Sequence, residues 1–261
     1  MDLDLTGKHA FVCGSTQGIG KASAVQLATL GAKITLVARS EDRLREVVKQ
    51  LPNASQNHDY VQADFDSPKE LKEKIQTYIS ENAGAHILIN NTGGPPGGKA
   101  IDADLEAFRI AFNRHLICNQ IMAQTLVPLM ISSGYGRIIN IISTSVKSPL
   151  DGLGVSNTIR GGVANWAKTL ANELGEHGIT VNNVLPGATA TVRLESIIKN
   201  KAEKLSASIE QVSQAMMKEI PAARFANASE IADAVAFLAS PSAAYINGIN
   251  LPVDGGRLSC L

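Results

Sequence analysis

The chain is short of the features that would take it away from small-molecule chemistry. Its three cysteines, Cys13, Cys118 and Cys260, are odd in number and far apart. None has a histidine or second cysteine at metal-ligand spacing, so neither a disulfide framework nor a metal site is expected, and the thiols read as reduced. Excess charge of either sign is also lacking, since 24 basic and 24 acidic residues cancel and no dense basic cluster stands out. Nucleic acid and membrane surfaces are therefore not expected partners; a small, roughly neutral ligand is. Apolar runs stop well short of the roughly 20 residues that cross a bilayer. The opening Met1-Asp2-Leu3-Asp4 has neither the basic nor the apolar region of a secretory signal, so the expected location is cytoplasmic.

What is present is enough apolar material for one large core: 44% of the 261 residues are hydrophobic and 18% charged, which suits a single domain over 1–261. Short apolar runs at 9–13, 33–38, 60–63, 87–90, 137–142, 180–185 and 250–253 read as buried strands. Between them, apolar residues recur every three or four positions at 22–30, 41–51, 68–79 and 161–175, which predicts helices. Such alternation predicts an α/β fold, a doubly wound Rossmann-type domain with a seven-stranded, mainly parallel sheet. The stretch 192–221 is helical and polar between two turn signals, and is expected to form a lid over a substrate site.

After the first strand comes Gly14-Ser15-Thr16-Gln17-Gly18-Ile19-Gly20. Glycine at 14 permits a tight turn, glycine at 18 lets backbone approach a pyrophosphate, and glycine at 20 lets helix and strand pack closely. Glycine clusters also merely end strands, but this one lies between an apolar run and a helix, which favours nucleotide binding. The second strand ends Ala38-Arg39-Ser40, without the carboxylate that would accept an NAD ribose and repel a 2′-phosphate. Arg39 offers a forked donor suited to phosphate, favouring NADP(H) with NAD(H) still possible; its alternative is a solvated strand-end charge.

These marks together resemble the short-chain dehydrogenase/reductase family, in its 3-oxoacyl-acyl-carrier-protein reductase-like branch, over nearly the whole chain. They are Gly14-x3-Gly18-Ile19-Gly20, then Asn90-Asn91-Thr92-Gly93, Ser143, Pro186-Gly187 and Val253-Asp254-Gly255-Gly256, in the family's order. The resemblance implies that Asp64 and Phe65 lie near the adenine, Asn91, Thr92 and Gly93 face the adenosine side, and Thr189 and Thr191 approach the nicotinamide. It also implies a homotetramer or homodimer assembled through two long helices. The apolar positions Ile117, Ile121, Leu126, Leu129, Trp166 and Leu170 suit that reading or a monomer core equally.

The sequence departs from the family at its chemistry. The family's serine is followed thirteen positions later by tyrosine and four further on by lysine; counted from Ser143, those places hold Ser156 and Arg160. Tyr135 comes too early to substitute. The family's supporting asparagine maps to His115, and Cys13 stands for a common threonine. A serine hydroxyl is a far weaker acid than a phenol, at about 1.4 kcal/mol per pKa unit of mismatch. Arginine stays protonated and only donates, so Arg160 is expected to hold a ribose, a carboxylate or a developing alkoxide. His115, with a reference pKa near 6.5, is a candidate acid or simply a packed helix residue. The expected catalytic set is Ser143, Ser156, Arg160 and His115, with water as one proton source. Two other readings stay open: hydride transfer that needs little acid help because the substrate is already activated, as with a quinone or an electron-poor carbonyl, and a catalytically impaired NADP(H)-binding sensor or scaffold.

Overall fold

Strands β1 (His9–Cys13), β2 (Lys33–Ala38), β3 (Asp59–Gln62), β4 (Ile87–Asn90), β5 (Gly136–Ile141), β6 (Ile179–Pro186) and β7 (Asn250–Val253) form one sheet in this computed structural model. Their order is β3-β2-β1-β4-β5-β6-β7, and each neighbouring pair is parallel. The structure describes residues 1–82 and 84–260; Ala83 and the expected domain limit Leu261 lie outside them. The chain winds outward from β1 to β3, then returns to start β4 beside β1. That reversal opens a crevice at the carboxyl ends of β1 and β4, where α/β sheets take ligands.

The central strands are buried on both faces, which explains their near-continuous apolar sequence. On one face lie α1 (Gly18–Thr29), α2 (Glu41–Gln50) and α9 (Ala228–Ala239), joined to the sheet through Leu27, Leu44 and Val235. On the other lie α3 (Pro68–Glu81), α5 (Cys118–Ser133) and α6 (Gly154–Leu174), through Leu71, Met122 and Ala167. Each fully buried Leu or Ile adds roughly 1.5–3 kcal/mol. Helices α7 (Val192–Leu205) and α8 (Ile209–Lys218) fill the expected 192–221 segment around a small cluster of Leu194, Ile198, Ala202 and Val212.

Several elements differ from expectation, among them α9, which no expected helix covers. Helix α1 begins at Gly18, so the glycine turn runs straight into it. Helix α6 begins at Gly154, seven residues before the expected start at Gly161, which puts Ser156 and Arg160 within its first two turns. The glycine pair Gly161-Gly162 does not stop the helix, because Val155 and Ile159 anchor its first turns against Ala111 and Phe108; tertiary packing overrides a weak propensity. Helix α4 (Leu105–Phe112), capped by the Asp104 carboxylate accepting from the Glu106 N–H at 2.8 Å, had no predicted counterpart. It continues through a π-helical turn, Asn113–Ile117, into α5. By length and composition the run Leu105–Ser133 could cross a bilayer, but Cys118, Met122, Leu126 and Met130 pack it onto the sheet.

A row of four asparagines crosses the sheet in register. Asn90 Nδ2 donates to Asn140 Oδ1, Asn140 Nδ2 to Asn183 Oδ1, and Asn183 Nδ2 to Asn250 Oδ1, each at 2.9 Å. Asn90, Asn140 and Asn183 are buried, and the far end of the row, Asn90 Oδ1, has no partner.

Candidate active site

The glycine turn sits at the β1–β4 crevice. Gly14 has φ +57°, and a Cβ there would come within 2.5 Å of the Asn91 carbonyl oxygen. Gly18 has φ +55°, again the left-handed region that favours glycine. A Cβ on Gly20 would stand 2.2 Å from the Gly14 carbonyl oxygen, so helix and turn approach only without one. Asn91 Nδ2 ties the turn down by donating to the Cys13 and Gly14 carbonyls at 3.3 and 3.1 Å.

The turn fits a dinucleotide phosphate on its own evidence. The Gln17 side chain does not cap α1, and no acidic residue lies in the first helical turn, so the helix presents its N–H groups to an incoming anion. Ser15 Oγ is buried without a partner. The loop after β6 closes over the turn, with Thr191 Cγ2 3.3 Å from where a Gly18 Cβ would be. Thr191 caps α7 by accepting from the Leu194 N–H at 3.4 Å, while Thr189 donates to the Gly187 carbonyl at 3.1 Å.

Arg39 and Ser40 are exposed at the end of β2, and the Arg39 carbonyl accepts from Gln62 at 3.1 Å. Asp64 is half-buried after β3 and accepts from the Asp66 N–H at 3.0 Å. Phe65 corrects the sequence reading: its ring is buried in the core with Leu71 and Cys118, so only its backbone can face an adenine. Its carbonyl in turn accepts from the Cys118 thiol at 3.3 Å.

Ser143 follows the end of β5 by two residues and caps a short 3-10 turn, accepting from the Ser145 N–H at 3.1 Å. Across from it, α6 carries the replaced pair. Arg160 Nε donates to Ser156 Oγ at 3.3 Å, and Nη1 to the Ile141 carbonyl, two residues before Ser143, at 3.0 Å. Both side chains are buried, each 8% exposed. Among the described residues no carboxylate pairs with Arg160. Burial, and second the nearby Arg193 cation, bring its pKa down to about 10, so it remains charged at neutral pH.

His115 lies in the π-helical turn, an irregularity that often marks a functional position. Its Nδ1 shares a 2.7 Å hydrogen bond with Thr92 Oγ1, while Nε2 is buried with no hydrogen-bond partner among the described residues. Burial above all, then Arg160 and Arg114, hold its pKa well below the usual imidazole value. The expectation of an acid titrating near neutrality therefore gives way to a neutral imidazole, since a second charge would sit beside Arg160 in a poorly solvated place.

Two groups were missed. Arg193, on the first turn of α7, donates from Nη2 to the Pro95 carbonyl at 2.7 Å and reaches the same Gly94 as Arg160. A cation at a helix N-terminus, against the dipole, was the available signal. Ser145 is 4% exposed with its Oγ unpartnered, and nothing in its sequence context distinguishes it from a capping serine.

A glycine turn fit for a phosphate at the switch point of a doubly wound parallel sheet is the framework of a dinucleotide-binding oxidoreductase class. Residues 14–257 match the family model described as enoyl-(acyl carrier protein) reductase. The chain is 32% identical over 258 residues to a 3-oxoacyl-[acyl-carrier-protein] reductase of Synechocystis, covering 97% of this chain and 98% of the other. It is 30% identical over 255 residues to the 7alpha-hydroxysteroid dehydrogenase of Escherichia coli K12, covering 98% and 96%. L-Sorbose reductase from Gluconobacter frateurii, solved with NADPH and L-sorbose, superposes with a TM-score of 0.93 at 32% identity over 100% of both chains. The protein belongs to the short-chain dehydrogenase/reductase family.

Proposed function

We propose that this protein is an NADP(H)-dependent oxidoreductase interconverting a carbonyl and an alcohol through a nonstandard acid arrangement. The observation that carries the proposal is the buried Arg160, bonded to Ser156 and to the last residue of β5, Ile141, two residues before Ser143. The nucleotide would rest on Gly14, Ser15, Thr16, Gln17, Gly18, Ile19 and Gly20, with Asn91, Thr92, Gly93, Thr189 and Thr191 along it and Asp64 and the Phe65 backbone toward the adenine. Arg39 and Ser40, with no acid at that strand end, support NADP(H) over NAD(H). When bound, the nicotinamide supplies or accepts the hydride.

The residues of the chain do the rest. Ser143 and Arg160 direct donors toward the oxygen on which negative charge develops, where a low-dielectric setting strengthens each bond. Arg160 holds charge but does not release its proton. Ser156 already accepts from Arg160, which leaves its hydroxyl hydrogen free to order a water. The open Nε2 of His115 is a second anchor for that water, and water delivers the proton. Helices α7 and α8 serve as the lid. Location in the cytoplasm and assembly as a homotetramer or homodimer through α5 and α6 complete the proposal, the latter checked by light scattering.

Calorimetry with NADPH and NADH, followed by NADPH oxidation against a carbonyl panel, tests it. Tighter NADPH binding with turnover reduced in Ser143→Ala is the expected result. Tight binding without turnover would favour the sensor or scaffold reading, to which the absence of a phenol at position 156 already lends support. No affinity for either nucleotide would remove both.

A further inference from the structure

Two guanidinium groups converge on the turn between β4 and α4. A Cβ on Gly94 would lie 3.5 Å from Arg193 Nη2 and 3.6 Å from Arg160 Nη2. Arg160 is buried, and its Nη2 makes no hydrogen bond among the described residues, its Nε and Nη1 being engaged by Ser156 and Ile141. Arg193 is exposed and anchored only by the Pro95 carbonyl. Neither forms an ion pair among the described residues, whereas Arg45, Arg109, Arg114, Arg224 and Arg257 each hold a carboxylate; Arg39, Arg43 and Arg137 are also without one, but no two of them share a turn. The third polar group beside this turn, His115, is a neutral imidazole bonded to Thr92.

This arrangement is unfavourable as it stands. Two like charges share a turn, one of them is desolvated, and the other occupies the positive end of α7. An anion seated between them would relieve all three costs at once, accepting from the free Nη2 of Arg160 and from the Arg193 guanidinium. The open backbone at Gly93 and Gly94, with nothing within 4 Å of a Gly93 Cβ, leaves room for a flat group.

We infer that the carbonyl substrate carries a carboxylate, which Arg193 binds together with the free Nη2 of Arg160. This rests on the oxidoreductase reading and makes Arg193 the specificity-determining residue of that site.

The test separates nucleotide from substrate. NADP+ is titrated first into wild type, Arg193→Met and Arg193→Lys. Pyruvate, levulinate and benzoylformate, each beside its methyl ester, are then titrated by calorimetry into the NADP+-saturated proteins, a complex that cannot reduce them. At least one acid should bind wild type about tenfold or more tighter than its ester, as expected for a charge-assisted pair. That preference should vanish in Arg193→Met and partly return in Arg193→Lys, with NADP+ affinity changed by less than about threefold. Acids and esters binding alike, or no acid binding at all, would overturn the inference. So would a large loss of NADP+ affinity in Arg193→Met with the acid preference intact, since Arg193 would then serve the cofactor pyrophosphate. Failure of the oxidoreductase reading would show separately, as absent turnover with NADPH despite a normal acid preference.

Discussion

Arg160 and Ser156, one turn apart on α6, are joined by a 3.3 Å hydrogen bond, and the same guanidinium reaches the backbone of β5. The two replacements therefore act as one unit, and restoring either family residue alone breaks a bond. Arg160→Lys keeps the charge but loses the planar fork that spans Ser156 and Ile141. We expect it to weaken NADPH binding and lower kcat/KM about tenfold or more, the equivalent of one charge-assisted bond of about 1.5–3 kcal/mol. Calorimetry and steady-state kinetics on the same preparation check this.

Glycines in this chain are not equivalent. Gly20→Ala would drive a methyl into the Gly14 carbonyl, 2.2 Å away, so nucleotide binding should be lost and the melting temperature should fall. Gly162→Ala, an exposed position inside α6 with nothing within 4 Å, should raise stability by about 0.5–1 kcal/mol. Thermal melts of the two variants should move in opposite directions.

The asparagine row has one open acceptor. Cys13 follows Val12, which pairs with Ile89, and so lies beside Asn90 on the same face as Leu88. Cys13→Thr places a stronger donor there and should stabilise the protein by about 1 kcal/mol. Asn140→Leu should instead cost about 2–5 kcal/mol, because it leaves both Asn90 Nδ2 and Asn183 Oδ1 buried and unpaired. Urea denaturation gives both values.

Acid sensitivity should come from His9, at the opposite end of the strands from the site. Its ring bonds to Gly84 and to Thr35, which in turn meets Tyr78, and burial first, then Lys33, pulls its pKa to about 4. The unfolded state then binds the proton first, so stability is full above about pH 6.5 and falls as pH drops toward 4. Between pH 7 and 5 the loss should be about 2 kcal/mol, and His9→Asn should flatten that slope in urea titrations.

The fold was legible because apolar periodicity and glycine placement report directly on burial: all seven strands fell within one residue of their observed ends, and the glycine turn stood where it was expected. Helix starts were less legible. At Gly154 the helix is held by contacts from a distant segment, Val155 and Ile159 on Ala111 and Phe108, which no local window contains. At the site, Ser156, Arg160 and His115 could be named from spacing. The protonation state of His115 could not, because it depends on enclosure and on two arginines brought up by other parts of the chain. Arg193 went unread because its partner, the Pro95 carbonyl, lies nearly a hundred residues away.

The four in-register amides have a further consequence for how the sheet assembles. Slipping β5 by a single residue turns Asn140 to the opposite face and puts an isoleucine in its place, and slipping it by two sets the amide against an aliphatic side chain such as Leu88 or Val181. Aliphatic strands alone would tolerate the second error, since one isoleucine resembles the next. The polar seam makes each such misalignment of β5 strand a buried dipole, so Asn140 works as a proofreading key for pairing the central strand, three residues before Ser143.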